Sequence, residues 1–161
     1  MKLLSPRERK FLENRLKSLY GVEDCFDDLV LIKCGRGRIR ATTKETLELA
    51  SRLRGIQQIG LYVMKISNGD ISLSVEGSQL LDDEIKNNII ELDEEQVEKW
   101  MKAIPIKTEI AYRGRYVIGK FNRLYLGSAR VSRGGLLYPQ IPKWRRIPIA
   151  KTRNNMHSQL P

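Results

Sequence analysis

Apolar residues in the first half of the chain follow two different spacings. Residues 5–21 begin with Ser5 and Pro6, a pair typical of a helix start, and end at Gly21, a helix stop signal. The large apolar residues between them recur on one face of a helix: Phe11, Leu12, Leu16, Leu19 and Tyr20. The apolar stretches 29–34 and 38–42 are shorter and flank Gly-Arg-Gly, so they predict the two strands of a hairpin.

The same sequence of patterns then repeats. Residues 42–55 predict a second helix, which Thr42 or Thr43 caps and Gly55 ends. The residues predicted to face inward are Leu47, Leu49, Ala50 and Leu53. The apolar runs 59–66 and 71–75 flank Asn68-Gly69, a strong hairpin signal, so the predicted order is helix, two strands, helix, two strands.

The second half begins with a short helix, an extended stretch at 89–92 and a helix that Asp93 caps, with Val97, Trp100 and Met101 inward. From residue 103 the pattern changes to short strands between glycine-containing turns, which is typical of a small β-barrel. Tyr116 and Phe121 lie in apolar strand patterns and are predicted to be core residues. The predicted fold class is α+β. We expect an N-terminal α/β domain at 1–87, a small β-barrel domain at 88–150 and a C-terminal tail at 151–161.

The net charge of +10 is concentrated in the C-terminal part of the chain. Residues 1–101 contain 16 Lys and Arg against 18 Asp and Glu, whereas residues 102–161 contain 13 against the single acid Glu109. Solubility does not require so sharp an asymmetry. The nearly neutral first half and the basic second half therefore indicate two modules, of which the second favours a polyanionic partner.

Residues that carry catalytic or metal chemistry are sparse. His157 is the one histidine and lies in the predicted tail. The glycines at 35–37 lack the third glycine and the following helix of a phosphate-binding loop. Acids at 82–84 and 91–95 open predicted helices, where they complement the helix dipole. We predict no catalytic residue, no metal and no cofactor, and interpret the chain as a non-enzyme.

The sequence predicts a cytoplasmic protein that does not span a membrane. No stretch approaches the roughly 18–20 consecutive apolar residues of a membrane span, and the N-terminus turns polar after two leucines, too soon for a signal peptide. Cys25 and Cys34 match no zinc signature and are expected to be free thiols.

Cations and aromatic residues of the basic half are the candidate nucleic-acid contacts, because phosphates bind Lys and Arg and unpaired bases stack on exposed rings. The candidates are Arg113, Arg115, Lys120, Arg123, Arg130, Arg133, Tyr138, Lys143, Trp144, Arg145 and Arg146. Strand alternation divides the cations between faces, so about half are expected on one surface.

Prolines make the position of Trp144 ambiguous. Pro139 and Pro142 hold an extended backbone that does not suit a regular central strand. Trp144 then either points outward, where a base can stack on it, or closes the end of the barrel. Both alternatives stay open from the sequence.

Residues 91–102, ELDEEQVEKWMK, and residues 114–146, GRYVIGKFNRLYLGSARVSRGGLLYPQIPKWRR, together resemble a PUA-type RNA-binding domain. Leu126-Gly127 falls at the family's Leu-Gly-x-Gly pattern, and Pro142-Lys143 at its Pro-Lys. The resemblance implies three structural glycines: Gly127, Gly134 and Gly135. The chain departs from the pattern at Ala129, often a second glycine in the family, and at Trp144-Arg145-Arg146, where relatives have smaller residues.

Two kinds of PUA protein are similar to this chain. The Nip-seven type of ribosome-biogenesis factor places an α/β pre-PUA domain before a PUA domain, and the NOL/NOP/Sun RNA cytosine-5 methyltransferases carry a PUA-like C-terminal domain. The resemblance implies a pre-PUA-like domain, a PUA-like barrel and a non-enzymatic role on rRNA or tRNA in ribosome biogenesis or RNA modification. The first domain would then contact a ribosome-assembly factor or a modification enzyme.

Two alternatives remain. One is an accessory subunit that guides RNA to a separate RNA methyltransferase. The other is a protein-interaction adaptor whose basic half binds an acidic partner.

Overall fold

The computed structural model of the chain describes residues 2–109, 111–112 and 114–149. The candidate contact Arg113 and the predicted tail at 151–161, with His157, lie outside the described residues. The first elements are β1 (Lys2–Leu3), α1 (Pro6–Tyr20), β2 (Val30–Cys34), β3 (Arg38–Thr42), α2 (Lys44–Arg52), β4 (Leu61–Ser67), β5 (Asp70–Leu73) and α3 (Val75–Leu81). The later elements are β6 (Ile89–Glu91), α4 (Glu94–Met101), β7 (Ile106–Lys107), β8 (Tyr116–Phe121), β9 (Leu124–Val131) and β10 (Leu136–Pro139). The α+β class is confirmed, and one of the two sheets curls into a half-barrel.

Helix caps and turn residues lie at the boundaries of the helices and strands in the first half, as the sequence predicts. The Glu8 backbone N–H donates to Ser5 Oγ at 3.2 Å, and the Ser5 N–H donates to the Glu8 carboxylate at 2.9 Å, which closes a capping box at the start of α1. Gly21 ends α1 with a φ of 69°. Asn68 and Gly69, with φ of 52° and 81°, form the turn between β4 and β5. The two predicted hairpins, β2–β3 and β4–β5, are confirmed.

The first sheet is antiparallel with the order β1-β2-β3-β4-β5. Ile39, Met64 and Leu73 are cross-strand partners in register and are buried, so they define one apolar face. Leu12 and Leu16 of α1 are fully buried in the same hydrophobic cluster. Helix α1 therefore covers this face, as its spacing predicts. The opposite face carries the polar side chains Arg38, Lys65 and Ser72, and also the buried Ile32 opposite Arg40.

The second sheet has the order β6-β8-β9-β10-β7, with β6 parallel to β8 and the other pairs antiparallel. Helix α4 begins at the predicted Asp93 cap and fully buries Trp100. The indole N–H of Trp100 donates to the Leu126 carbonyl at 3.0 Å. Its ring lies so close to Gly119 that a Cβ there would be 2.6 Å from a ring carbon, so this glycine is required for packing.

Strand β10 differs from the expectation that prolines would keep this segment out of the sheet interior. It lies between β9 and β7, and Leu137 is fully buried. The pairing to β7 covers only Leu136 and Leu137. Pro139 follows the end of that pairing, so its missing N–H interrupts no hydrogen bond to β7.

Three apolar side chains that the sequence predicts to face the core are exposed. Leu49 and Leu53 are 60% and 54% exposed, and Phe11 is 54% exposed. Helix α2 has no buried residue and ends at Arg52, before the predicted stop at Gly55. Helical spacing places apolar residues on one face, but burial also needs a facing surface, which the fold does not provide for these side chains.

Buried contacts join the two sheets. Ile118 and Tyr125 of the second sheet belong to the hydrophobic cluster of the first. The Leu73 N–H donates to Ser128 Oγ at 2.8 Å, which links β5 to β9. The Gly127 N–H donates to Ser78 Oγ at 2.9 Å, which links β9 to α3. The two hydrophobic clusters of the molecule are therefore joined by buried contacts.

Candidate nucleic-acid interface

Two tyrosines and one arginine form a row across the second sheet. Arg130 in β9 is the direct cross-strand partner of Tyr116 in β8 and of Tyr138 in β10, so the three side chains share a face. The central carbon of the Arg130 guanidinium lies 5.3 Å from the centroid of the Tyr138 ring. Arg130 is exposed and both tyrosines are half-buried. The prediction of Tyr116 as a core residue is thus corrected, because its pairing opposite Arg130 places it on this face. Phe121 is also half-buried, although it packs against the second hydrophobic cluster.

The candidate cations lie at two ends of the β8–β9 hairpin. Arg115, Arg130 and Arg133 are at its open end, where β8 begins and β9 leads into the next turn. Lys120 and Arg123 are at the hairpin turn. Along the strands, Lys120 is roughly 16 Å from Arg115, and Arg123 is roughly 23 Å from Arg130. The predicted cations therefore do not form one continuous patch.

Three candidate cations have partners within the protein. The Lys120 ammonium lies 4.9 Å from the Tyr125 ring centroid and 3.9 Å from a Glu91 carboxylate oxygen, and its hydrogen bond to Tyr125 raises the pKa of Lys120. Arg145 forms an ion pair with Glu76 of α3. Arg146 Nε donates to the Ile141 carbonyl at 2.9 Å. These side chains are less available to phosphate than the remaining candidates. Within the described residues the remaining cations form no ion pair: Arg115, Arg123, Arg130, Arg133 and Lys143.

A short 3₁₀ turn, Lys143–Arg145, presents Trp144 to solvent. The tryptophan is 76% exposed, so the structure decides between the two sequence alternatives in favour of the outward one. The segment that follows this turn is connected to the end of α4, because the Ile147 N–H donates to the Met101 carbonyl at 3.1 Å. The Arg145 guanidinium lies over the indole, 5.0 Å from its centroid, while Glu76 holds the same guanidinium. Arg145 thus positions the Trp144 ring.

The three glycine positions that the resemblance singles out differ in whether the backbone there tolerates a side chain. Gly127 and Gly135 both have a φ of 75°, which side chains rarely adopt, and a Cβ on Gly127 would lie 3.0 Å from the Val75 nitrogen. Gly134 has open space around it and an ordinary φ. The backbone therefore requires glycine at 127 and 135 and does not require it at 134.

A cleft of about 620 Å³ lies between the two sheets. The wall from the first sheet carries the row Arg38, Lys65 and Ser72, which are cross-strand neighbours, and the pair Arg40 and Tyr62. The wall from the second half carries Tyr116, Gln140, Pro142 and Trp144. Glu76 is the one acid among the described lining residues.

The first-sheet residues of the cleft are absent from the sequence-derived candidates. Arg38 and Arg40 alternate with the apolar Ile39, a pattern that marks a polar strand face. That pattern does not reveal which surface the face meets. Arg40 donates to the carbonyls of Ile59 and Gly60, at 2.9 and 2.5 Å for the shortest contact to each.

Burial raises the pKa of Tyr62 above its ordinary value. Its phenol therefore stays protonated at neutral pH. Tyr62 thus contributes a neutral hydroxyl to the cleft wall, beside the cations of the same face.

Metal and thiol sites are not indicated by the described part of the chain. No group of three or more His, Cys, Asp and Glu there is placed to hold a metal ion. Cys25 and Cys34 are free thiols, and burial raises the pKa of Cys25 to about 11. Cys25 therefore remains an unreactive thiol at neutral pH.

No protein-family model matches the chain, and no curated protein matches it significantly. Among the described residues, none of the helices combines the length and the apolar character needed to cross a membrane.

Proposed function

We propose that this chain is a non-enzymatic RNA-binding protein whose contact surface is centred on the second sheet. The observation that carries the proposal is the row in which Arg130 lies between Tyr116 and Tyr138. Arg130 has no acidic partner among the described residues, and the exposed Trp144 shares the inter-sheet cleft with Tyr116. Unpaired cations next to open aromatic rings supply both phosphate neutralisation and base stacking.

The charge distribution supports the same proposal. The 13 cations after residue 101 have only Glu109 as an acid within that stretch. Three of them, Lys102, Lys120 and Arg145, form ion pairs with acids from earlier in the chain. Most of the positive charge therefore remains uncompensated. A compact β unit with such charge suits the shape and the unpaired bases of folded RNA.

We further propose a PUA-like unit in the second half and a pre-PUA-like unit in the first. The positive φ angles at Gly127 and Gly135, both positions of the family motif, support this layout. In that case the RNA is rRNA or tRNA, the process is ribosome biogenesis or RNA modification in the cytoplasm, and the first half contacts an assembly factor or a modification enzyme.

Fluorescence anisotropy over a range of salt concentrations tests RNA binding, with a labelled tRNA transcript and a DNA duplex as ligands. Five phosphate contacts give a slope of about −4 for log affinity against log salt. The variant Arg130→Ala/Arg133→Ala is expected to lower the magnitude of that slope by about 1.5. The control variant Lys10→Ala/Lys44→Ala removes the same charge from exposed residues outside the surface and is expected to keep the slope.

Absence of tRNA binding at low salt would contradict the proposal and would favour the adaptor with an acidic partner. Equal losses in the two double variants would show that only net charge matters. That result would contradict a defined surface on the second sheet.

A further inference from the structure

Two like charges face each other on the polar side of the first sheet. Arg38 and Lys65 are direct cross-strand partners, an arrangement that is destabilising when no opposite charge is near. Both side chains are exposed, and neither forms a hydrogen bond or an ion pair within the described residues. A bound anion would relieve this repulsion, so the pair has the character of an anion site.

The single acid in the cleft wall does not compensate this pair. Glu76 is already paired with Arg145, which comes from the opposite side of the cleft. Arg40 adds a third cation to the same wall, held in place by the carbonyls of Ile59 and Gly60. The cleft therefore carries net positive charge on the first-sheet side.

The other side of the cleft offers an open aromatic ring. Trp144 lines the cleft and is 76% exposed, and the Arg145 guanidinium lies 5.0 Å from the centroid of its indole. Tyr62 and Tyr116 also line the cleft. The volume of about 620 Å³ falls in the range of roughly 300–1,000 Å³ that small-molecule sites occupy.

We propose that this cleft binds an unpaired nucleotide of the RNA, with a phosphate on Arg38 and Lys65 and the base stacked on Trp144. The inference rests on the proposed function, and it extends the contact surface to the first sheet. A paired base is already stacked within its duplex and cannot offer its face to Trp144, so the cleft selects single-stranded segments.

Tryptophan fluorescence and anisotropy test this site, with a short oligouridylate and an RNA duplex of equal length as probes. Trp100 is fully buried, so Trp144 is the tryptophan that a base reaches. Oligouridylate is expected to quench the emission of the unaltered protein and not that of Trp144→Phe. The duplex is expected to leave the emission unchanged.

The double variant Arg38→Ala/Lys65→Ala tests the phosphate contacts. It is expected to weaken oligouridylate binding about tenfold and to lower the magnitude of the salt slope by about 1.4, the value for two single-strand contacts. Lys10→Ala/Lys44→Ala is the charge-matched control and is expected to bind as the unaltered protein does. Trp144→Ala is expected to weaken binding about 5- to 150-fold, the range for the loss of one stacked base.

The outcomes separate this inference from the proposed function. If the unaltered protein binds oligouridylate but Trp144 emission and the Arg38→Ala/Lys65→Ala variant are unaffected, the cleft site is overturned and RNA binding stands. Equal affinity and equal quenching with the duplex would also overturn it. If the tRNA transcript binds but oligouridylate does not, the cleft site is overturned and the proposed function stands. If neither the tRNA transcript nor oligouridylate binds, the proposed function fails and the cleft site fails with it.

Discussion

The carboxylate of Glu8 shows how a few local contacts set the properties of one residue. It accepts hydrogen bonds from the Ser5 backbone N–H and from Lys33, and the Ser5 hydroxyl lies in the same capping box. These contacts, the Ser5 backbone bond foremost, lower the pKa of Glu8 from 4.5 to about 2. Because the folded pKa is depressed, Glu8 stabilises the fold above pH 4.5, and this contribution is lost as the pH falls towards 2.

Replacing Ser5 by alanine is expected to raise the pKa of Glu8 part of the way towards 4.5, since the capping box loses its side-chain partner. The loss of the cap itself is expected to cost about 0.5–2 kcal/mol of unfolding free energy. A carboxyl-detected NMR titration measures the pKa. Ser18→Ala, at an exposed position in the same helix, is the control. A Glu8 pKa near 4.5 in the unaltered protein would contradict this account.

At the scale of elements, local signals predicted the helices and hairpins but not how each one is covered. The caps at Ser5 and Asp93 and the turn at Asn68-Gly69 involve residues only a few positions apart, so the sequence contains the full interaction. Leu49 and Leu53 depend on a surface from elsewhere in the chain, and their predicted burial is wrong. The predicted burial of Tyr116 failed for a similar reason, because the pairing of β8 with β9 places its side chain on the same face of the sheet as Arg130.

Gly127 in strand β9 has a left-handed backbone conformation, and a substitution tests whether this conformation requires glycine. Gly127→Ala is expected to lower the unfolding free energy by at least about 1–2 kcal/mol, the cost of a side chain in the left-handed region. The added Cβ would also lie 3.0 Å from the Val75 nitrogen.

Gly134→Ala is the matched control, because Gly134 has open space and an ordinary φ. It is expected to leave stability nearly unchanged. Urea unfolding measures both variants, and equal stabilities of the two would refute the conformational requirement at residue 127.

At the scale of the whole molecule, buried contacts join the hydrophobic clusters of the two sheets. Ser128 and Ser78 are buried and accept backbone N–H groups across the junction, and Ile118 and Tyr125 pack with first-sheet residues. The division after residue 87 stays a prediction about domains. The contacts across the junction favour cooperative unfolding of both halves.

Ser128→Ala is expected to lower the unfolding free energy by about 1–3 kcal/mol, because it leaves the buried Leu73 N–H without its acceptor. Unfolding is expected to remain a single transition that reports loss of both sheets. Ser72→Ala, on the exposed face of β5, is the control and is expected to be nearly neutral. Two separate transitions in calorimetry would contradict cooperative unfolding of the two sheets.

The sequence by itself determined the α+β class, the helix caps, the hairpin turns and the basic character of the last 60 residues. These follow from spacing and from contacts between residues a few positions apart. Only the tertiary structure decided that Arg38 and Lys65 line the same cleft as Trp144, and that Glu76 neutralises Arg145. Glu76 and Arg145 lie 69 residues apart in sequence, and Arg38 and Lys65 lie still further from Trp144. Their approach therefore depends on strand register and on packing between sheets, which no local pattern encodes.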